Sequence, residues 1–233
     1  MIDWHSHVLP ALDDGASDVN ESIKLVRLLN SQGVGTIIAT PHFYADYESV
    51  ESFLNRRNIA YENLKNELDE KSPKIILGSE VRYYQGISRL TELDALRIEG
   101  SKLLLLEMPM SRWTEYMIRE LVELSTKSRV RIILAHVERY LPLQKLNVID
   151  NLLQCGILTQ ANASFLNSFA TKRNALSMLD KGMIHFVGSD CHNLTSRAPQ
   201  IGRAMEIIQK KFGDEFIDQM NEYGLSLLTT SSI

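Results

Sequence analysis

Two kinds of apolar segment alternate along the chain. One kind is a short, nearly continuous run, found at residues 1–4, 34–39, 74–77, 102–106, 130–135, 157–160 and 184–187. Runs of that length mark strands buried on both faces, as in a parallel sheet covered by helices. The other kind repeats apolar positions at helical spacing. Residues 18–32 open on Asp18 with Glu21 three positions on, carry Ile23, Val26 and Leu29, and stop at Gly33. That is the pattern of a capped helix. Further helices are expected over 49–70, 87–96, 114–127, 142–154, 171–181, 196–212 and 214–223, with Gly156 and Gly182 as stops. The tail at 225–233 is weakly specified.

About seven β-α units in regular order fit a closed parallel barrel or an open doubly wound sheet. Neither GxGxxG nor GxxxxGK[ST], the glycine fingerprints of nucleotide-binding sheets, occurs in the chain. The residues that follow each strand decide between the two folds. His5, His42, Glu80, Glu107, His136 and Asp190 each fall at or just after the end of a different run. The C-terminal rim of a β/α barrel gathers such residues round one point, whereas an open sheet spreads them along a line. The expected fold is therefore α/β: a distorted parallel (β/α)7 TIM-like barrel, one domain over residues 1–233, with a metal site at the C-terminal rim of the strands.

The first run supplies the strongest chemical signal. His5 and His7 are two residues apart at its end, so an extended chain points both imidazoles to one face. Converging neutral imidazoles bind metal ions. Asp13 and Asp14 follow within a loop's reach, and Gly15 supplies a turn. His192 joins through the triplet Asp190-Cys191-His192, while His185 lies inside a strand-like run and stays outside the pattern. Histidine and carboxylate donors without thiolate suit Mn, Fe or Zn.

Composition narrows the rest. The 233 residues are 44% hydrophobic and 23% charged, ordinary for a soluble protein with one large core. A net charge of −4 argues against a broad basic surface for nucleic acid. Two cysteines, Cys155 and Cys191, are too few for a disulfide framework or a CxxC zinc site, so a reducing cytoplasm is expected. No basic leader precedes an apolar core at the N-terminus, and no run is long enough for a membrane span.

The sequence resembles the PHP (polymerase and histidinol phosphatase) superfamily, most closely its bacterial capsule-regulating, manganese-dependent tyrosine phosphatases of the CpsB/YwqE type. The resemblance covers nearly the whole chain. Its carriers are Asp3-Trp4-His5-Ser6-His7, Asp13-Asp14-Gly15, Thr40-Pro41-His42, Gly78-Ser79-Glu80, Glu107, Ala135-His136-Val137-Glu138-Arg139-Tyr140, Gln160-Ala161-Asn162-Ala163-Ser164 and Ser189-Asp190-Cys191-His192-Asn193. The resemblance implies a seven-stranded barrel holding three divalent metal ions, Mn first, with Fe or Zn as alternatives. It implies His5, His7, Glu80 and Asp190 on one metal, and Glu80 bridging to a second held with Glu107 and His136. Asp14, His42 and His192 would hold the third. Arg139 and Arg197 match the family's phosphate-binding arginines.

The implied reaction is hydrolysis of phosphotyrosine by a metal-bridging hydroxide formed at neutral pH, with the arginines carrying phosphoryl charge. His192 is also a candidate general acid. The implied substrate is a phosphotyrosine protein, the tyrosine-rich tail of a bacterial tyrosine kinase controlling capsular or exopolysaccharide synthesis. A phosphatase of histidinol phosphate or another small phosphomonoester is the main alternative on the same fold. An exonuclease-like activity and a metal-binding module without catalysis are further readings.

One rival motif crosses the site. Cys191 to Arg197 satisfies Cys-x5-Arg, the spacing of cysteine-dependent tyrosine phosphatases, in which a thiolate attacks phosphorus inside a loop of backbone N–H groups. The loop here holds no glycine, and that reading leaves the strand-end histidines without a role. Tyr44, Tyr47, Tyr83, Tyr84, Arg112 and Trp113 lie on loops after strands and are candidates for the mouth of the site.

Overall fold

A computed structural model of the chain describes residues 1–127 and 130–229. In chain order it forms β1 (Ile2–Ser6), α1 (Val19–Ser31), β2 (Thr36–Ala39), β3 (His42–Phe43), α2 (Val50–Lys65), β4 (Lys74–Leu77) and β5 (Glu80–Arg82). Next come β6 (Leu103–Glu107), α3 (Glu115–Lys127), β7 (Arg131–Leu134), α4 (Leu146–Gln154), β8 (Leu158–Asn162) and α5 (Ala163–Asn167). The chain then adds α6 (Lys172–Asp180), β9 (Phe186–Gly188), α7 (Ile201–Phe212) and α8 (Asp214–Leu228).

All strand pairs are parallel, in the orders β1-β2-β4 and β3-β5-β6-β7-β8-β9. β2 continues into β3 across Thr40-Pro41, and β4 into β5 across Gly78-Ser79, so the nine strands follow seven paths. The sheet curls into a half-barrel, and its ladder does not run fully round. β9 meets β1 at a seam made of two backbone bonds, Asp190 N to His5 O at 2.7 Å and His7 N to Cys191 O at 3.0 Å, with one bridge between Ser6 and Cys191.

Two apolar layers fix this arrangement. Alternate strand residues, among them Ile2, Trp4, Leu103, Leu105, Ile133 and Phe186, form a cluster of their own inside the curl, with Leu228 of α8 packed among them. The opposite faces of the strands pack with the helices in a larger cluster that includes Leu25, Leu29, Phe53, Leu104, Leu134 and Ile208. Strands buried on both faces are what the continuous apolar runs demand.

The starts of α1 and α2 follow their capping signals, and several other boundaries depart from the periodicity. Asp18 caps α1 by accepting from Glu21 N at 2.9 Å. Ser49 caps α2 through Ser52 N. The helix expected over 49–70 ends at Lys65, because Asp69 Oδ1 takes Lys71 N and Ser72 Oγ into a local turn. Residues 87–96 form two short 3₁₀ turns instead of one helix. α4 and α7 begin four and five residues later than expected, at Leu146 and Ile201 (from 142 and 196). The segment ahead of α7 carries Pro199 and two loop bonds to Asn193. α8 runs past 223 to Leu228, and the last part of the weakly specified tail, 230–233, lies outside the described residues.

Candidate metal centre

The predicted site histidines and carboxylates gather at one end of the sheet: His5 and Glu107 close strands, His42 and Glu80 open β3 and β5 after the breaks in their paths, His7, His136, Asp190 and His192 follow strand ends, and Asp14 lies in the loop after β1. The backbone turns sharply there. His136 (φ 34°) and Asp190 (φ 50°) are two of only three non-glycine residues in the left-handed region among those described. That conformation costs about 1–3 kcal/mol for a residue with a Cβ and clusters at functional sites. β1 carries a register shift between Asp3 and Ser6, a bulge-like irregularity of the kind that re-aims side chains. Gly188 lets β9 approach β1, since a Cβ there would lie 2.6 Å from His5 Cβ and 2.8 Å from Gln160 Nε2. Gly15 does the same under the first loop, where a Cβ would meet His7 O at 2.3 Å.

The donor atoms form three groups. In the first, His5 Nε2 and His7 Nε2 are 3.2 Å apart. Glu80 Oε2 is 3.1 and 3.3 Å from them, and Asp190 Oδ1 is 3.6 Å from each. In the second, His136 Nε2 lies 3.0 Å from Glu80 Oε1 and 3.4 Å from Glu107 Oε1. In the third, Asp14 Oδ1 lies 3.4 Å from His42 Nε2 and 3.2 Å from His192 Nε2. His42 also links the groups, with Nδ1 3.0 Å from Glu80 Oε2. Ligands about 2.1 Å from an ion stand about 3.0 Å apart in an octahedron and about 3.4 Å apart in a tetrahedron. The separations of 3.0–3.4 Å match those edges, and Asp190 Oδ1 at 3.6 Å lies just beyond them.

Hydrogen bonds behind the rings fix their tautomers. His136 N donates to Gln160 Oε1 at 2.8 Å, which identifies that atom as the amide oxygen. His5 Nδ1, 3.1 Å from the same oxygen, must therefore donate to it. His7 Nδ1 donates to Asp13 Oδ2 at 2.7 Å and His192 Nδ1 to the Asp190 carbonyl at 3.0 Å. In their neutral forms, all three rings then turn an Nε2 lone pair into the cluster, the arrangement typical of metal-ligating histidines. Lone pairs facing carboxylates at these distances repel unless a cation lies among them. Among the described residues, His192 Nε2 and His136 Nδ1 are buried without a hydrogen-bond partner, and the buried Glu80 Oε2 and His42 Nδ1 face only other donor atoms of the cluster. These residues fit divalent ions.

The protonation energetics agree. Burial alone would lower the His7 pKa, yet Asp13 and Glu80 hold it up at about 10. Burial likewise opposes the charge on His136, and Glu107 and Glu80 hold it at about 9. Burial opposes the charge on Glu80 too, but His5, His136 and His42 keep its carboxyl well below the usual range. The cluster thus demands positive charge. His192 goes the other way, pushed down to about 4 by burial, His7 and Arg197. A neutral ring keeps its one N–H on Nδ1, given to the Asp190 carbonyl, and leaves Nε2 without a proton, which suits a ligand and weakens its candidacy as general acid.

Arg139 Nη2 meets Asp190 Oδ2 at 2.6 Å, and Arg197 Nη2 meets Asp190 Oδ1 at 2.9 Å. Both line a cleft of about 270 Å³ with His42, Tyr44, Glu80, Arg82, Glu107 and Asp190. A larger cleft of about 640 Å³, among α1, α7 and α8, lies away from the histidines and holds none of the metal-ligand groupings.

Cys191 is not an exposed nucleophile. Its thiol is fully buried, and burial beside Asp3 pushes its pKa far up. Three of the loop amides that would wrap a phosphate are taken: Thr195 N and Arg197 N donate to Asn193 Oδ1, and His192 N to Arg197 O. The candidates for the mouth separate as well. Tyr44 lines the cleft and Tyr47 is exposed beside it. Tyr83 is buried against Glu120 and Trp113 against Tyr140, so neither reaches the mouth, and Tyr84 and Arg112 do not line the cleft.

Several residues at the site were not assigned roles by the sequence. Asp13, Gln160, Asn162, Arg82 and the Asp3–Ser189 pair belong to it structurally. Asn162 Nδ2 donates to Asp190 Oδ2 at 2.7 Å, and Ser189 Oγ donates to Asp3 Oδ2 at 2.6 Å. Their motifs were visible, Gln160-Ala161-Asn162 above all, but bonds across 28 to 186 residues have no local signal.

Comparison with known proteins shows the family of the chain. Residues 1–223 match the family described as capsular polysaccharide synthesis, CpsB/CapC. The chain is 31% identical to the tyrosine-protein phosphatase YwqE of Bacillus subtilis, covering 100% of this chain and 93% of that protein. It is 31% identical to the tyrosine-protein phosphatase CpsB of Streptococcus pneumoniae, covering 91% of each. Its fold superposes with a TM-score of 0.84 and 27% identity on a chain from the crystal structures of YwqE and CpsB, described as unique metal-dependent tyrosine phosphatases. That match covers 100% of this chain and 96% of the other.

Proposed function

The chain belongs to the CpsB/CapC family, and from that premise we propose that it is a metal-dependent protein-tyrosine phosphatase of capsular or exopolysaccharide control. The observation that carries the reading is one point at the strand ends. There His5, His7, Glu80 and Asp190 converge at metal-ligand spacing, directly beside Arg139 and Arg197.

Three divalent ions, Mn first, would be held by His5, His7, Glu80 and Asp190, by Glu80, Glu107 and His136, and by Asp14, His42 and His192. When bound, they supply Lewis acidity at phosphorus and lower the pKa of water at the site from about 16 to about 7. The protein's own residues do the rest. Arg139 and Arg197 offer planar N–H forks to the non-bridging phosphoryl oxygens, where charge builds in the transition state. Asn162 keeps Asp190 aligned between them. Gln160 and Asp13 hold His5 and His7 in the tautomer that leaves Nε2 free. The leaving group is a phenolate with a pKa of about 10, so the site works without a side-chain acid.

The substrate class is a phosphotyrosine protein, and the tyrosine-rich tail of a bacterial tyrosine kinase is the expected partner. Two free cysteines suit a cytoplasmic setting, and no described helix is long and apolar enough to cross a membrane.

The test is phosphotyrosine-peptide hydrolysis by chelated protein, before and after manganese, beside a Cys191→Ser variant. Chelation should abolish turnover, manganese should restore it, and Cys191→Ser should retain it. Turnover that survives chelation but dies with Cys191→Ser would return the reaction to the thiolate reading. Histidinol phosphate in competition separates the small-molecule alternative.

A further inference from the structure

The cleft carries a third arginine that neither the ligand groups nor the phosphate clamp uses. Arg82 ends β5, two residues beyond Glu80, and its guanidinium lies over the Tyr44 ring at 5.6 Å from the centroid. Tyr44 is itself fixed, with its ring 5.2 Å from His42 and 5.8 Å from Tyr47. Arg82 is exposed, and among the described residues no carboxylate lies within ion-pair distance of it. Even Glu107, its register partner across β6, makes no such pair. Arg139 and Arg197, by contrast, are each anchored on Asp190 through Nη2.

We propose that Arg82 reads an acidic residue flanking the phosphotyrosine in the substrate chain. The inference rests on the phosphatase reading and deepens it. Residues i and i+2 of a strand share a face and stand about 6.6 Å apart along it. Glu80 lies among the donor atoms, so Arg82 stands one such step further toward solvent. A phosphotyrosyl group spans about the same 6–7 Å from phosphorus to Cβ. With phosphorus at the donor cluster and the ring in the cleft, the peptide backbone emerges at the level of Arg82. The cation–π contact with Tyr44 holds the guanidinium over the ring without using an N–H on an acceptor, so the planar fork that binds a carboxylate in bidentate fashion is available to substrate. A charge already held in place loses little entropy on binding, so the contact adds selectivity.

The test compares two phosphotyrosine peptides that differ only in the residues beside the phosphotyrosine, glutamate in one and lysine in the other, with p-nitrophenyl phosphate as a substrate lacking flanks. Metal-loaded wild-type protein should prefer the glutamate peptide about tenfold in kcat/KM, mostly through KM. Arg82→Gln should erase the preference and Arg82→Glu should invert it toward lysine. A glutamate preference of equal size in Arg82→Gln overturns the proposal. So does a loss on p-nitrophenyl phosphate as large as that on the glutamate peptide, which would place Arg82 on the phosphate instead. A wild-type protein that turns over none of the three fails the phosphatase reading itself, an outcome separate from loss of flank preference.

Discussion

A single side-chain oxygen organises much of the site. Gln160 Oε1 accepts from His5 Nδ1 and His136 N, while Gln160 Nε2 donates to Asn162 Oδ1 at 2.9 Å. Asn162 in turn holds Asp190, and Asp190 holds both arginines. Replacing Gln160 by Met keeps the volume and removes the acceptor. His5 then loses the bond that fixes its tautomer, and metal affinity should fall about 10–100-fold. Metal titration checks this, with circular dichroism to verify the fold. Gln160→Glu, which keeps an acceptor at the same place, should recover most of the loss. Unaltered affinity in Gln160→Met would remove Gln160 from the ligand-orienting role. The sequence displayed Gln160 only as part of a motif, because its partners lie 24 and 155 residues away.

Among the elements, the seam between β9 and β1 is the most exposed to change. Two backbone bonds and one bridge join these strands, and they meet across Gly188. A Cβ there would lie 2.6 Å from His5 Cβ and 2.9 Å from His5 N. Backbone cannot yield as a side-chain tip can, so Gly188→Ala should push the strands apart and cost about 1–3 kcal/mol. Asp190 sits two residues on, so turnover should drop by more than the stability loss explains. Urea unfolding beside phosphotyrosine-peptide kinetics reads both. Full stability and activity in the alanine variant would mean the seam is looser than its geometry. Strand positions and the capped starts of α1 and α2 were legible because burial on two faces and side-chain caps are local signals. The end of α2 at 65, the turns at 87–96 and the starts of α4 and α7, expected at 142 and 196, were not, since turns and Pro199 outweigh periodicity there.

For the whole molecule, the donor set ties β1 to the ends of nearly every other strand path. Bringing Glu80, Asp190 and the histidine lone pairs together without a cation leaves repulsion at the top of the curl. Bound ions should therefore stabilise the fold, and a ligand at 100 times its Kd adds about 2.7 kcal/mol by mass action. At about 2–4 °C per kcal/mol for a chain of this size, chelation should lower Tm by about 5–10 °C. Adding manganese back should restore it in proportion to the logarithm of its concentration. A Tm indifferent to chelator would show that the residues are held by the scaffold alone.

The sequence by itself determined the alternation of buried strands and amphipathic helices, and it located the donors at the strand ends. Both are encoded in periods of two and 3.6 residues and in caps a few positions away. It also left two chemistries open around Cys191. Only the tertiary structure decided that Cys191 is buried, that the loop amides serve Asn193, and that Gln160 and Asp13 orient the histidines. It alone set Arg82 over Tyr44 with no carboxylate partner among the described residues. The physical reason is that burial, tautomer and ion pairing depend on atoms brought together across the ring of strands, and a linear chain carries no local signal of those distances.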